Sequence, residues 1–587
     1  MGPNVTRSSA SLKRTSNSAA VAPPLGAVPR TDPILVILLS SAIFAFAHFQ
    51  ALTRPWVIND DVRQQIFWMR QWLDPQLFPG DLLADYARAY VTWGVKGLYR
   101  LASLVADPVT FSKWMPGLLF VFLGWCVFRI GVRLGSRRLA WFMVGIYWLM
   151  PFFLDNLSGG LARAFAAPLL AFFGLCWLAA NSWGLALALL LMALFIPYIF
   201  LVAAAAIVIA WLATRIGKFS GPSFLNWNHF LVMAVGAVLV FLMNRQFDTA
   251  GFGPLVSLGD MAQRPEFTAQ GRYAILPVPS FFWELISPWE LIAPFHEGGI
   301  MVGALGCVLL LGAAAWGARK LDWQTLKYRL QPFWYLLGAS LVLYFLARVF
   351  LLQLFVPDRY LMYTLNLCYL LGLALCLEAA TRRLPCPRGP AVAVLVLVVA
   401  LAGLRLQGVG LYDYSAYQPL YSALAKTPKA ARVAGHPNLM DNVFTFGQRP
   451  ALVTYELAHP WSKGFWERIR PRLEDLFKAY YADNPQVVRD FCRKYQVSFL
   501  VVDDRHFTPE FLAGGFFVVP FNQPLMRKKP RLAERVICPF FAPFDAQIRN
   551  LVRSRHDFAL LNPDLFPGTK VDEHQRLLDM RVWLQKD

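Results

Sequence analysis

The sequence predicts a polytopic α-helical membrane protein of about eleven transmembrane helices, closed by a C-terminal α/β domain outside the bilayer. Three observations predict it. The 587-residue chain is 57% hydrophobic and only 16% charged, more apolar surface than a soluble chain of this length can use. Several runs reach about 20 residues with few or no charges, the length that crosses a hydrocarbon core. From about residue 410 onward the composition becomes that of ordinary globular sequence.

The formal net charge of +20 would suggest a nucleic-acid partner in a soluble protein. Here the basic residues gather in short clusters between apolar runs, where they set topology. No zinc-finger, RNA-recognition or helix-turn-helix pattern occurs, so no nucleic acid is expected. Cys126, Cys176, Cys307, Cys368 and Cys376 sit in apolar runs as small core residues, and Cys386 in a basic loop. Cys492 and Cys538 fall in the C-terminal domain and could bridge in an oxidising compartment. No His/Cys cluster has zinc-ligand spacing.

In chain order, residues 1–31 are rich in Ser, Ala, Pro and Thr and predict a disordered cytoplasmic tail. Residues 32–409 form the transmembrane domain. Its first span is 33–52. A cleaved signal peptide competes with that reading, because Ala45-Phe46-Ala47 resembles a signal-peptidase site. The long leading segment and an apolar run that continues past the site favour an uncleaved helix. Loop 53–108 then lies outside, and a span near 111–131 ends inside at Arg133, Arg137 and Arg138. Spans 139–155 and 162–180 pair through an outer connection at 156–160.

Stretch 184–213 is too long for one crossing, short for two, and broken at Ile196-Pro197. If it is a hairpin, the loops at Arg319-Lys320 and Thr381-Arg382-Arg383 both fall inside, as the positive-inside rule requires. Further spans follow near 229–244, 298–318, 333–355, 359–379 and 390–407. The N-terminus is then inside and the C-terminus outside. Outer loop 245–297 is rich in Pro, Gly, Trp and acids. In the outer domain, 410–587, Val487–Tyr495 reads as an amphipathic helix, Val497–Asp504 as a buried strand and Phe516–Pro520 as a further strand.

The stretch from Asn59 to Asp74 organises the functional reading. Val62, Ile66, Met69 and Leu73 fall on one stripe at helical spacing, with Trp68 and Trp72 beside it. Asp60, Arg63, Gln64, Gln71 and Asp74 point the other way. Such a helix is expected to lie flat in the membrane interface. Asn59 or Asp60 can cap its first turn, which sets the acidic pair Asp60-Asp61 at its positive end.

At these residues the chain resembles the GT-C superfamily of integral-membrane glycosyltransferases. A first transmembrane helix followed by an acidic residue or pair and a juxtamembrane helix is similar to protein O-mannosyltransferases and lipid A aminoarabinose transferases. The resemblance covers the architecture and three short motifs: Asp60-Asp61-Val62-Arg63-Gln64, Gly159-Gly160-Leu161-Ala162-Arg163 and Arg359-Tyr360. It implies a polyprenyl-phosphate-linked sugar donor, and a catalytic base or divalent-metal ligand (Mg or Mn) at the acid after the first helix. It also implies a bacterial inner membrane. The chemistry agrees, since an acceptor hydroxyl must lose a proton as it attacks and the departing lipid phosphate needs positive charge. Asp60 and Asp61 are both candidates for the base.

Arg63, Arg163, Arg348, Arg359 and Tyr360 are the candidates for donor phosphate or lipid. For Arg348, inside the run 333–355, a snorkelling side chain is the plain alternative. For Arg359 it is a local pair with Asp358. Asp155, Glu284, Glu290, His296 and Glu297 are candidate sugar or metal contacts, each also readable as a solvated or capping residue. In the tail, Trp461 and Trp466 could stack on sugar rings or simply pack. The expected function is sugar transfer to a lipid, glycan or protein acceptor at the outer face, among membrane lipids. The competing classes are a lipid-linked glycan flippase, which would pair broken helices at mid-membrane, and a non-catalytic lipid- or glycan-binding scaffold.

Overall fold

A computed structural model describes residues 29–216, 224–267, 281–286, 300–385, 387–509, 511, 542–555 and 557–584. Among the described residues, six helices are long and apolar enough to cross a bilayer: Pro108–Leu134, Pro197–Arg215, Trp227–Thr249, Gln331–Val349, Asp358–Thr381 and Gly389–Leu406. A seventh span results if Arg137–Leu149 and Pro151–Leu157, bent by 64° at their break, are taken together. The bend has a covalent cause, since Pro151 has no amide hydrogen to continue the helical ladder. Four shorter apolar helices, Thr31–Ala47, Ala162–Leu178, Ser182–Phe195 and Val308–Ala318, stand beside these.

The run 184–213 breaks where the sequence said it would. Ser182–Phe195 ends, Ile196 adopts φ −148° and ψ 77°, and Pro197 opens the next helix. The Thr92 hydroxyl donates to the Phe195 carbonyl (3.0 Å) and pins the break to the segment after the first helix.

The segment 59–74 departs from expectation. It is a single α-turn, Val62–Gln65, followed by a 3-10 stretch, Phe67–Trp72. Val62, Ile66, Phe67, Trp68 and Met69 are buried in the protein core, and so are Arg63 and Gln64, which were expected to face away. Phe67, beside the stripe, packs on the C-terminal region, its ring centre 4.3 Å from that of Phe444, and Leu73 at the end of the stripe is exposed. Neither Asn59 nor Asp60 is the cap residue. Asp61 occupies that position without a side-chain cap, and the Asn59 amide oxygen accepts the Asp61 N–H (3.1 Å).

Strand β1 (Val57–Ile58) pairs antiparallel with β2 (Tyr412–Asp413), with Val57 opposite Asp413. This ribbon joins the exit of the first helix to the exit of Gly389–Leu406, and so fixes the start of the C-terminal region beside the acidic pair. Farther on, β3 (Val433–Gly435), β4 (Phe499–Asp503), β5 (Gly568–Lys570) and β6 (Gln575–Asp579) form a sheet in the order β3-β4-β6-β5. The β3–β4 pair is parallel, and helices Lys463–Tyr480 and Pro485–Tyr495 lie in the crossover between them.

The expected buried strand is β4, all five of whose residues are buried, and the expected helix begins at Pro485. The β5–β6 hairpin had no clear sequence signal, because its short strands carry charged residues. The expected strand 516–520 and Cys538 lie outside the described residues. Cys492 is a buried free thiol. The region also grips loop 245–297: the Val256 amide donates to the Trp461 carbonyl (2.8 Å), and Lys463 pairs with Asp260 (2.7 Å).

Candidate active site

Backbone geometry brings three distant stretches together at the acidic pair. Asn59 donates from Nδ2 to the Gly410 carbonyl (2.8 Å), which also accepts from Ser158 Oγ (3.0 Å). Gly159 and Gly160 both take left-handed φ (+86° and +62°), and the Tyr99 hydroxyl donates to their two carbonyls (3.1 and 3.2 Å). A side chain at Gly159 would meet Asn59 Oδ1 at 2.9 Å. The double-glycine turn therefore lets the chain approach Asn59 closely and delivers Arg163 beside Asp61.

The two acids then part company. Asp60 Oδ1 accepts from the Tyr414 hydroxyl (2.8 Å) and is ion-paired to Arg63. Arg63 is nearly buried. It also donates to Asn442 Oδ1 (2.9 Å), and its guanidinium carbon lies 4.3 Å from the Tyr414 ring centre. Burial opposes its charge, but Asp60, Tyr414, Asp441 and Glu456 outweigh that, so the guanidinium titrates well above its ordinary range. Asp60 and Arg63 thus form a clamp onto the C-terminal region.

Asp61 faces elsewhere. Its Oδ2 pairs with Arg163 Nη1 (2.8 Å) and its Oδ1 accepts from Gln64 (2.7 Å), which reaches toward Glu456 (3.5 Å). Arg163 Nε is buried with no hydrogen-bond partner among the described residues. Asp155 and Arg359 lie within electrostatic range of Arg163. Asp155, Arg163 and Arg359 all keep solvent contact although protein surrounds each on nearly every side. Together they form a charged, solvent-contacting cluster beside Asp61.

Tyr90, Tyr198, Tyr363 and Tyr412 stand among the same charges. Burial, and beyond it the Asp61 charge, push the Tyr90 phenol up to about 12, so it remains a hydrogen-bond donor. Among the described residues, Arg359 makes long side-chain contacts, to Tyr363 Oη (3.5 Å), Met362 Sδ (3.9 Å) and Asp358 (3.9 Å). Its guanidinium fork is held in place, with donors left for an anion. The cluster therefore combines carboxylates, guanidiniums and phenols, a set suited to proton removal beside a phosphate.

The remaining candidates fall elsewhere. Tyr360 is buried, donates to the Leu354 carbonyl and packs on Tyr198. Arg348 is held along its own helix by Tyr344 Oη (2.9 Å), whose ring belongs to a separate apolar cluster. Glu284 lies on the short helix Phe281–Ile286, but its side chain, like Glu290, His296 and Glu297, is outside the described residues. Trp461 stacks on His459 (4.1 Å), which meets the Tyr86 hydroxyl (2.9 Å), and Trp466 is packed in the core. Among the described residues no group of three or more His, Cys, Asp or Glu side chains could hold a metal ion. The carboxylates of the pair accept from amide and phenol donors and pair with guanidiniums.

Sequence reasoning missed Asn442, Glu456, Tyr90 and Tyr412. Asn59, next to the acids, and Tyr363, one helical turn from Arg359, carried the only signals.

No protein-family model matches the chain, and no curated protein matches it in sequence. Solved structures do. The oligosaccharyltransferase of Archaeoglobus fulgidus, tethered to an acceptor peptide containing the NVT sequon, matches with a TM-score of 0.50 at 12% identity over 82% of this chain and 70% of that one. The same enzyme with an inhibitory peptide and a dolichol-phosphate matches with a TM-score of 0.46, again at 12% identity, over 82% and 70%. ArnT from Cupriavidus metallidurans in the apo state matches with a TM-score of 0.34 at 12% identity, over 81% and 93%. Both proteins are membrane glycosyltransferases of the GT-C superfamily. At this identity the likeness is one of fold, and it is the fold that the acidic pair and its neighbouring motifs led one to expect.

Proposed function

We propose that this GT-C-fold chain is an integral-membrane glycosyltransferase. It moves a sugar from a polyprenyl-phosphate-linked donor to a lipid, glycan or protein acceptor at the outer face of a bacterial inner membrane. In this reading the chain crosses the bilayer about eleven times, with its N-terminus cytoplasmic and residues 410–587 outside. One observation carries the proposal: Asp61 is ion-paired to Arg163, and Asp155 and Arg359 stand within electrostatic range of the same guanidinium.

Transfer needs both kinds of group. The acceptor hydroxyl loses its proton to a carboxylate as it attacks the anomeric carbon. The lipid phosphate departs with the bonding electron pair, and the guanidiniums of Arg163 and Arg359 stabilise the charge that develops on it. Gln64 and Arg163 hold Asp61 in place, so the groups are fixed before substrate arrives. The printed ligands of the fold neighbour, a dolichol-phosphate and acceptor peptides, lend support by analogy of fold.

The test is release of labelled sugar from a panel of polyprenyl-phosphate-linked hexoses and pentoses by the purified protein in nanodiscs. Wild type should release sugar from at least one donor, and Asp61→Asn should lower turnover about 10- to 100-fold. Wild type that binds the lipids yet releases sugar from none would leave a carrier or lipid-binding scaffold as the reading.

A further inference from the structure

Asp155 sits at the end of the short helix Pro151–Leu157, just past the 64° bend. From Phe153 to Leu161 every residue is buried except Asp155, which is exposed. That exposed carboxylate stands among the charges of the acidic pair's surroundings. Arg163, Asp61 and Arg359 are the charges within its range, and Gly410, itself bonded to Asn59 and Ser158, lies against its Oδ1. A side chain at Gly410 would approach Asp155 Oδ1 to 3.2 Å, so the glycine keeps that side of the carboxylate open.

The carboxylates of this centre differ in what already occupies them. Asp61 Oδ1 accepts a hydrogen bond from Gln64 and Oδ2 is ion-paired to Arg163, while Asp60 is turned to Arg63 and Tyr414. Asp155 accepts no side-chain hydrogen bond and forms no ion pair among the described residues, and the residue is exposed. A base must have a lone pair free and within reach of the hydroxyl it deprotonates.

We propose that Asp155 is the catalytic base of the transfer, and that Asp61 is a positioning residue that aims Arg163 at the donor phosphate. The assignment rests on the glycosyltransferase reading above. In the step, the acceptor O–H gives its proton to the Asp155 carboxylate and the acceptor oxygen bonds the anomeric carbon. The bond from that carbon to the phosphate oxygen breaks, and the lipid phosphate keeps the electron pair. Its extra negative charge falls between Arg163 and Arg359.

The probe is the same donor panel, with water as acceptor where no other is known, followed as kcat and KM against pH. Asp155→Asn and the smaller Asp155→Ser should both lose about 10²- to 10⁴-fold in kcat. Both should keep donor KM within about threefold, and both should lose the acidic limb of the wild-type profile. Asp155→Glu should retain that limb and part of the rate. Asp61→Asn should raise donor KM and keep the limb.

More than a tenth of wild-type kcat in either non-carboxylate variant, or an acidic limb that survives in them, overturns the assignment while leaving the glycosyltransferase reading intact. A wild-type protein that releases sugar from no donor overturns both together.

Discussion

Asp61 Oδ2 and Arg163 Nη1 stand 2.8 Å apart, although one follows the first helix and the other follows a double-glycine turn far along the chain. Acid and cation are thus positioned by each other. Arg163→Ala should lower sugar transfer about 10²-fold, and the double variant with Asp61→Asn should be little worse than the poorer single one. Steady-state transfer rates of the four proteins check this. Losses that simply multiply would show that the two act independently.

Arg359 is fixed by long contacts to residues near it in sequence. Removing it takes a guanidinium from the cluster and little from the fold. Arg359→Ala should raise donor KM about 10- to 100-fold and leave the melting temperature in detergent nearly unchanged. A variant that melts much earlier would make Arg359 a structural residue.

Gly160 has φ +62°, and an added side chain would lie 2.8 Å from the Met115 side chain and 2.9 Å from Tyr99 Oη. Gly160→Ala should destabilise by about 1–3 kcal/mol and lower transfer with it, because Arg163 follows from that turn. Gly97, inside the helix Trp93–Ala102, has open space around it, and Gly97→Ala should stabilise by about 0.5–1 kcal/mol. Denaturant unfolding of the pair separates the two effects.

Arg63 is nearly buried between Asp60, Asn442 and the Tyr414 ring. Arg63→Ala leaves the Asp60 carboxylate without its cation, and should cost about 2–4 kcal/mol. It should also loosen the C-terminal region from the acidic pair, which limited proteolysis would detect as faster cleavage after residue 410. Equal cleavage rates in both proteins would count against a clamp.

Asp81 caps the helix Leu82–Tyr90, accepting the amides of Leu83 and Ala84 at 3.0 and 2.9 Å. Burial pushes its carboxyl up to about 6. The folded protein therefore binds a proton that the unfolded chain releases between about pH 4 and 6. Across that window stability falls as pH rises, so the charged Asp81 opposes folding at neutral pH. Asp81→Asn keeps a capping oxygen without the charge. It should stabilise by up to about 2 kcal/mol at pH 7.5 and by nothing at pH 4. Melting curves at the two pH values test the sign, and a gain that persists at pH 4 would contradict it.

The amphipathic stripe from Val62 to Leu73 marks where reading the sequence stopped short. Periodicity correctly said that one face is covered. It did not say by what, because lipid and a protein core make the same demand on Val62, Ile66 and Met69. The polar residues misled for a related reason. Arg63 and Gln64 look like a solvated face until Asp60, Asn442 and Glu456 supply their partners from the far end of the chain.

What the sequence determined by itself was local. Apolar length gave the helices, Pro197 and Pro151 gave the break and the bend, and five consecutive buried residues gave β4. The motifs lie on stretches that the fold brings together, since Asp61 pairs with Arg163 and Arg359 stands within electrostatic range of it. Only the tertiary structure decided that Asp60 turns to Arg63 and Asp61 to Arg163, and that Asp155 is exposed within an otherwise buried turn. The physical reason is that covalent order fixes helices and turns through neighbours a few residues away. The partners of a buried charge are chosen by how distant segments pack, which no window along the chain contains.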